Sequence, residues 1–520
     1  MTEKFYITTA IDYPNGIPHM GHALEKIASD AYARWYKFLG HETYFMTGTD
    51  ENGQKLLESA RASGIPIQEY VDTNSAKFRK LSKDLNVSND DFIRTTEQRH
   101  VDVCNELWTK LEKKGDVYFG VYSGQYCLAC ESFYTETQAP GNICPAHNTE
   151  LVKKEEEGYF FKMSSYQDWI ISYIKTHPTF IVPHSSYNEM LSRLEGDKLR
   201  DLPISRPNEN WGIPVPGNPK FVMYTWFDAL INYYSAVAHT DKEKFWPASM
   251  HVIGKDIAWF HTVIWPIMLH AADIAIPKQV YVHGMILAED GKKMSKSLGN
   301  VVDPNDMLAK YPVDSFRYYL LRAIPAQNDG RFSEKELIEK HNSELGNSYG
   351  NLIMRVLKLY LKDNAPTLDS TGVTQEVNFD DCFQKMKDHM EKREHNRALE
   401  ALWEGVNSMN QYVNIKEPWK LKEDKVALKQ VVYNCVYSIH ALSTLLSPFL
   451  PDTAVKALAP LGVTLGRFED VKFGTTTYEL TEPTPLFPKI DVPVAPQPEA
   501  KAPKAPKAPK APKPGKPEIA

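Results

Sequence analysis

The chain has 520 residues, enough for several domains that each bury a core. Apolar residues make up 42% and charged residues 24%, the ordinary proportions of a soluble protein. The formal charge of −6 excludes nucleic-acid binding by bulk positive charge, so any RNA contact must use local basic patches. No run approaches the roughly 18 apolar residues of a membrane span. Met1-Thr2-Glu3-Lys4 leads straight into an apolar run without a signal or transit pattern. Six cysteines in this length are not a secreted disulfide framework, and a reducing, cytoplasmic setting is expected.

The run from Phe5 to Ala10 reads as a buried strand. Pro14, Gly16 and Pro18 then break the chain. Leu24, Ile27, Ala28, Ala31 and Trp35 follow with the spacing of one helix face. His19 and His22 therefore fall in the first helical turn. Unpaired N–H groups and the positive dipole end favour phosphate there. The imidazoles add donors, and Gly21 lets a nucleotide approach the backbone. Two histidines alone are weak evidence.

Residues 42–47 read as a second strand, running into a Gly/Asp loop that carries Asp50. Such a loop is where an open parallel α/β sheet binds ligands, although Asp50 alone could be only a helix cap. Cys127-x-x-Cys130 is followed, after thirteen residues, by Cys144-x-x-His147. Two short-spaced pairs fit a tetrahedral Cys3His zinc site with a closed shell, hence one structural Zn2+. Strand-into-helix patterns recur at residues 221–230, which include Trp226, and at 251–261. His261 lies on a helix that is apolar around much of its face, where a histidine is usually a satisfied core residue. Residues 280–286 give the last strand before a cationic loop, 290–299, with Lys293, Ser295, Lys296 and Ser297. The core is a βα alternation, giving a parallel sheet split by an insertion of about a hundred residues. From about residue 312 the pattern turns helical, with long 3.6-type periodicity at 345–361, 394–413 and 426–446. Asn351 and Arg355 share a helix face, and Trp419 lies just beyond another helix. On sequence alone these read as a surface pair and a core Trp. Residues 491–520 repeat Lys-Ala-Pro with period three, which predicts an unfolded, polyproline-II-like tail.

His19-Met20-Gly21-His22 early and Lys293-Met294-Ser295-Lys296-Ser297 late form the signature pair of class I aminoacyl-tRNA synthetases. Within that class, residues 1 to about 490 resemble the methionyl-tRNA synthetases, in their bacterial single-zinc form. The resemblance implies an α/β, Rossmann-like parallel-sheet catalytic domain (1–115 and 221–290) split by a zinc-knuckle connective insertion (116–220). A stem-contact region with the lysine loop (291–345), an all-α anticodon-binding bundle (346–490) and the disordered tail (491–520) would follow.

It implies ligation of L-methionine to initiator and elongator tRNA(Met) through methionyl-adenylate, with ATP and Mg2+. His19, Gly21, His22, Lys293, Ser295, Lys296 and Ser297 would hold ATP. Ala10, Ile11, Tyr13, Asp50, Trp226, Leu230, Tyr233, Asp256, Ile257 and His261 would hold methionine. Tyr13 and His261 are expected to offer polar hydrogens to its sulfur. Catalytic roles would fall to His19, His22, Lys293, Lys296, Asp50 and Arg206. Asn351, Arg355 and Trp419 would meet the anticodon. Cys127, Cys130, Cys144 and His147 would hold zinc. Family members vary at Leu230, where some have Pro. Many append a C-terminal dimerising domain that this sequence lacks, so a monomer is expected.

Two other function classes stay open at this stage. One is a nucleotidyltransferase that shares the first motif and acts on small molecules without tRNA. The other is a non-catalytic RNA-binding paralogue, against which the intact histidines and lysines count.

Overall fold

The computed structural model describes residues 3–127, 132–134, 139–145, 148–294 and 299–491. Strand β1 (Lys4–Thr9) passes through the Pro/Gly turn into α1 (Met20–Phe38), then β2 (Glu42–Thr49). Helices α2 (Gln54–Ser63) and α3 (Ile67–Asp84) return the chain to β3 (Asp91–Arg94), and α4 (Gln98–Lys114) follows. A long ribbon comes next: β4 (Val117–Cys127) pairs antiparallel with β5 (Ser132–Tyr134) and β6 (Val152–Phe161). After α5 (Gln167–Thr176), β7 (Ile181–Val182) and α6 (His184–Gly196), strand β8 (Leu202–Pro203) extends the ribbon sheet. Strands β9 (Ser205–Pro207), β10 (Pro214–Val215) and β11 (Asn218–Met223) form a small antiparallel sheet. Helix α7 (Thr225–Ser235), β12 (Met250–Gly254), α8 (Trp265–Ala271) and β13 (Val280–His283) complete the first half.

The main sheet has six strands, all parallel, in the order β3-β2-β1-β12-β13-β7. Its last strand comes from the segment between 116 and 220, which reads in sequence as an insertion. Strand β7 is two residues long and followed by Pro183, too short to carry a periodic signal. Side chains alternate across the sheet with period two. Phe5, Ile7, Phe45 and Tyr281 enter the core on the α1 face, while Tyr6, Tyr44, Met46 and Val282 enter the core under α4, α7 and α8. Both faces are covered, as an all-parallel sheet requires.

Beyond the sheet, α9 (Pro304–Lys310), α10 (Val313–Arg322) and α11 (Glu334–Lys340) lead into a wider helical stretch, His341–Gly350, which continues as α12 (Asn351–Leu361). Helices α13 (Asp380–Glu391), α14 (His395–Lys416), α15 (Lys425–Leu446) and α16 (Pro451–Leu458) build the bundle. It is not purely helical: Thr367–Leu368 and Tyr478–Glu479 pair as a short antiparallel ladder. Nor is its core separate. Trp35 of α1, Phe316 and Tyr319 of α10, and Trp403 and Leu442 of the bundle belong to one continuous apolar cluster.

One buried ion pair joins the two halves. Arg317 of α10 donates to Asp30 of α1 at 2.7 Å, and both are fully buried. The guanidinium also donates to the carbonyls of Leu85 and Phe449. Arg34 adds a second donor to Asp30 at 2.7 Å. Burial alone would raise the Asp30 pKa, but the two guanidiniums and Ser88 outweigh it and hold the carboxyl below its usual range. A depressed carboxyl stabilises the fold above its unfolded pKa, and that stability is lost as pH falls through the folded value. Arg317→Met should therefore lower unfolding stability by about 3 kcal/mol, the low end of the cost of breaking a buried pair, because Arg34 and Ser88 still bond Asp30. Urea unfolding at neutral pH checks this, and the difference from wild type should shrink below the ordinary carboxylate pKa.

Candidate active site

The cleft opens at the C-terminal ends of β1, β2, β12 and β13, where a parallel α/β sheet places its ligands. Its volume is about 670 Å³. The start of α1 forms one wall. His19 is the N-cap and His22 the third helical residue. His19 Nδ1 accepts from the Gly21 N–H at 3.1 Å, and His22 Nδ1 accepts from the His19 N–H at 3.0 Å. This is a capping box made of imidazoles instead of the usual hydroxyl and carboxylate. An Nδ1 that accepts must carry the ring proton on Nε2, so each neutral ring presents an Nε2–H donor. The rings stack with centroids 3.7 Å apart. Burial, with His19 and Lys26 nearby, holds the His22 pKa well below the usual histidine value, so the ring is neutral at pH 7. A Cβ at Gly21 would lie 2.9 Å from the His19 ring, so the motif needs glycine here.

The opposite wall is apolar. Trp226 stacks on Phe260 with centroids 3.7 Å apart, and Ala10, Ile11, Leu230 and Ile257 line the cleft beside it. Tyr233 and His261 close the floor, joined at 2.6 Å between the hydroxyl and Nε2. His261 Nδ1 donates to the Ile257 carbonyl at 2.9 Å, so Nε2 accepts from Tyr233. Burial lowers the His261 pKa to about 4, and the ring stays neutral. The expectation that His261 offers a hydrogen to sulfur is corrected here, because both nitrogens are already engaged. The wide helical turn Phe260–Ile264 carries this residue. Tyr13 lies over Gly53, whose Cβ would sit 2.1 Å from the tyrosine hydroxyl.

Asp50 and Asp256 line the cleft between these walls. The Asp50 loop is held from behind. Glu51 is fully buried, pairs with Arg94 at 2.7 Å, and its carbonyl accepts from Trp211 at 2.7 Å. Asn52 donates to Asp228 at 2.7 Å. Burial, with the Asp50 charge adding to it, pushes the Asp228 carboxyl well above its usual range.

Several cleft residues carry no sequence signal. Glu25 bonds the Ala10 N–H at 2.9 Å and His283 Nε2 at 3.0 Å. His283 Nδ1 faces the Gly284 carbonyl at 2.8 Å, so both ring nitrogens meet acceptors. Burial opposes its charge, but the Glu25 bond and charge prevail and raise its pKa. Asp12 pairs with Lys26 at 2.6 Å, deep under His22. Lys55 lines the cleft as a second cation besides Lys293. No spacing rule connects positions 12 with 26 or 25 with 283, because tertiary folding alone brings them together.

Arg206 does not line the cleft. Its buried guanidinium lies over the ring of Tyr224, 4.4 Å from the centroid, and Tyr224 lines the wall. Lys293 reaches the cleft, whereas Ser295, Lys296 and Ser297 lie outside the described residues. In the ribbon sheet, Cys127 and Cys144 are buried in one small cluster with Ala139 and Leu151. Cys130 and His147 lie outside the described residues, as do residues 492–520. Among the described residues no three His, Cys, Asp or Glu side chains converge as a metal cluster. In the bundle, the Arg355 guanidinium lies 5.6 Å from the ring centroid of Trp419 and donates to Asn414 at 3.0 Å. Trp419 is 40% exposed, not the core residue its sequence suggests, and Asn351 is exposed one turn away. No helix among the described residues is long and apolar enough to cross a membrane.

Comparison with known proteins agrees with this arrangement. A family model described as tRNA synthetases class I (M) matches residues 5–153 and 143–357. A second, the anticodon-binding domain of tRNA ligase, matches residues 378–485. The methionine–tRNA ligase of Caldanaerobacter subterraneus subsp. tengcongensis is 40% identical over 95% of this chain and 80% of its own length. That of Bacillus subtilis is 40% identical over 94% of this chain and 78% of its own. The structure of Mycobacterium tuberculosis methionyl-tRNA synthetase in complex with methionyl-adenylate superimposes with a TM-score of 0.88. It is 35% identical and covers 94% of this chain and 100% of that one. With a histidine-capped helix, an aromatic pocket and a lysine loop around one cleft, this chain belongs to the methionyl-tRNA synthetase family.

Proposed function

We propose that this cleft condenses L-methionine with ATP to methionyl-adenylate, releasing pyrophosphate, and then transfers the methionyl group to the 3′ end of tRNA(Met), releasing AMP. The observation that carries the reading is the shared cleft: the His19/His22 helix start and the Trp226–Tyr233–His261 pocket face one volume. The methionine carboxylate attacks the α-phosphorus, so no protein nucleophile is required. The chain contributes alignment and donors where the phosphoryl oxygens gain charge.

In this reading His19 and His22 offer their Nε2–H groups to the phosphates, and the helix start adds its dipole. Lys293 and Lys296 supply cationic charge from the loop, and Mg2+ would enter with ATP and neutralise part of the phosphate charge. Asp50 receives the α-ammonium. The thioether packs against Trp226, Tyr233 and the His261 ring, which suits its polarizability. Arg206 supports that wall from behind through Tyr224. Arg355, Trp419 and Asn351 stack on and bond the unpaired bases of the anticodon. Initiator and elongator tRNA(Met) share that anticodon, so both are substrates. Translation places the reaction in the cytoplasm.

The zinc reading rests on chemistry present in the ribbon. Two thiols seventeen positions apart meet in one small buried core, the donor set that zinc prefers. Cys127 and Cys144, with Cys130 and His147 from the same stretch, would hold one ion. When bound, zinc crosslinks a segment whose own core is only a few side chains.

ATP–pyrophosphate exchange with each amino acid, without tRNA, tests the function. Exchange with methionine alone is expected; exchange with another amino acid would overturn the pocket. Lys296→Ala should slow adenylation by about 2–4 kcal/mol of transition-state stabilisation, the scale of one lost charge-stabilising contact. A rate within about threefold of wild type would remove Lys296 from that role. Zinc chelation should depress tRNA aminoacylation more than pyrophosphate exchange, and full aminoacylation by a metal-free sample would exclude a structural zinc.

A further inference from the structure

Beneath the phosphate side of the cleft lies a buried ion pair that the reaction as described does not use. Asp12 Oδ2 lies 2.6 Å from Lys26 Nζ as an ion pair, and the side chains are 5% and 1% exposed. Lys26 also donates to the Thr47 hydroxyl at 3.0 Å, which in turn bonds Thr9 at 2.7 Å. The other carboxylate oxygen, Asp12 Oδ1, faces His22 Nε2 at 3.8 Å. That separation is too long for a hydrogen bond but short for a charge acting through a buried, low-dielectric gap. Backbone bonds fix the carboxylate in place. The Asp12 N–H donates to the Gly48 carbonyl and the Asp50 N–H donates to the Asp12 carbonyl, each at 2.9 Å. Asp12 therefore links the methionine-side loop to the phosphate-side histidine.

We propose that Asp12 and Lys26 are a positioning pair for His22. Lys26 keeps Asp12 ionised in a buried site. The ionised carboxylate acts on the electropositive Nε2 edge of His22 across 3.8 Å without hydrogen-bonding it, so it fixes the ring plane while Nδ1 stays on the His19 N–H and the Nε2–H is left to the phosphate. Asp12 touches no reacting atom in this scheme and acts through His22. The proposal rests on the methionine-activation reading above.

The groups around Asp12 define its pH response. Helix α1 presents Lys26, His22 and Glu25, the loop after β2 presents the Asp50 N–H to the Asp12 carbonyl, β2 presents the Thr47 hydroxyl to Lys26, and α3 presents the Phe78 ring, 5.1 Å from His22. Burial raises the Asp12 pKa to about 6 against the opposing charge of Lys26, with Glu25 raising it further. Protonation below that value removes the charge that orients His22, so the pair should impose an acid limb on adenylation.

Methionine-dependent pyrophosphate exchange by the full chain, measured from about pH 5 to about pH 9, tests this. The wild-type chain alone tests the underlying reading, since its failure to exchange methionine would overturn both. The proposal is read from variants relative to wild type. Asp12→Asn should lower kcat about tenfold or more, the scale for losing a histidine's orienting partner, and remove the acid limb. The KM for methionine should stay within about twofold, because the pocket residues do not change. Lys26→Met should move the limb alkaline by about one pH unit or more, because Asp12 loses its counter-charge. The Asp12→Asn/Lys26→Met double variant leaves no unpaired buried charge and guards against a folding defect. It should show the Asp12→Asn profile. A wild-type acid limb in Asp12→Asn or in the double variant, with kcat within about twofold of wild type, would overturn the proposal.

Discussion

Three charged side chains on one helix hold the cleft together. Within α1, Glu25 ties the helix to Ala10 just after β1 and to His283 at the end of β13, Lys26 ties it to Asp12, and Asp30 ties it to Arg317 of α10. Each partner lies on a different element, so α1 cannot slide or turn without breaking at least one buried bond. Buried charges stabilise little compared with apolar side chains, yet breaking one is costly, which makes them good at fixing register. The helix start that carries His19 and His22 is therefore placed by contacts further along the same helix.

The cleft separates two kinds of chemistry a few side chains apart. At the His19/His22 end, the groups are Nε2–H donors and Lys293, and the buried anion Asp12 is balanced by Lys26. At the Trp226 end the rings are neutral, and the polar groups of Tyr233 and His261 bond each other. A neutral, internally satisfied floor presents π-faces and CH edges to an uncharged ligand without an unpaired donor. A site whose polar atoms are already paired discriminates by shape, which is weak against a ligand shorter by one methyl.

Much of the fold was legible in the sequence because both faces of a parallel sheet are buried and its helices keep a 3.6 spacing. Strands β1 and β2 and helices α1, α12, α14 and α15 lie where the periodicity put them, within a few residues. Strand β7 was not legible, because two residues have no period. The merging of the bundle with the sheet core was not legible either, since Trp35 and Trp403 look like local core residues of separate helices. Trp419 was misread as core for the opposite reason: a Trp after a proline looks apolar whether or not anything covers it.

The sequence by itself determined the two signature motifs, the order of strands and helices, the Cys/His pairs and the residue types of the pocket. These are local properties, written in spacing and side-chain chemistry. Only the tertiary structure decided that His261 bonds Tyr233, that Arg206 stands behind Tyr224, and that Asp12 meets Lys26 under His22. Hydrogen-bond direction and buried charge balance depend on which groups become neighbours when the chain closes. A one-dimensional pattern records no distance between residues hundreds of positions apart.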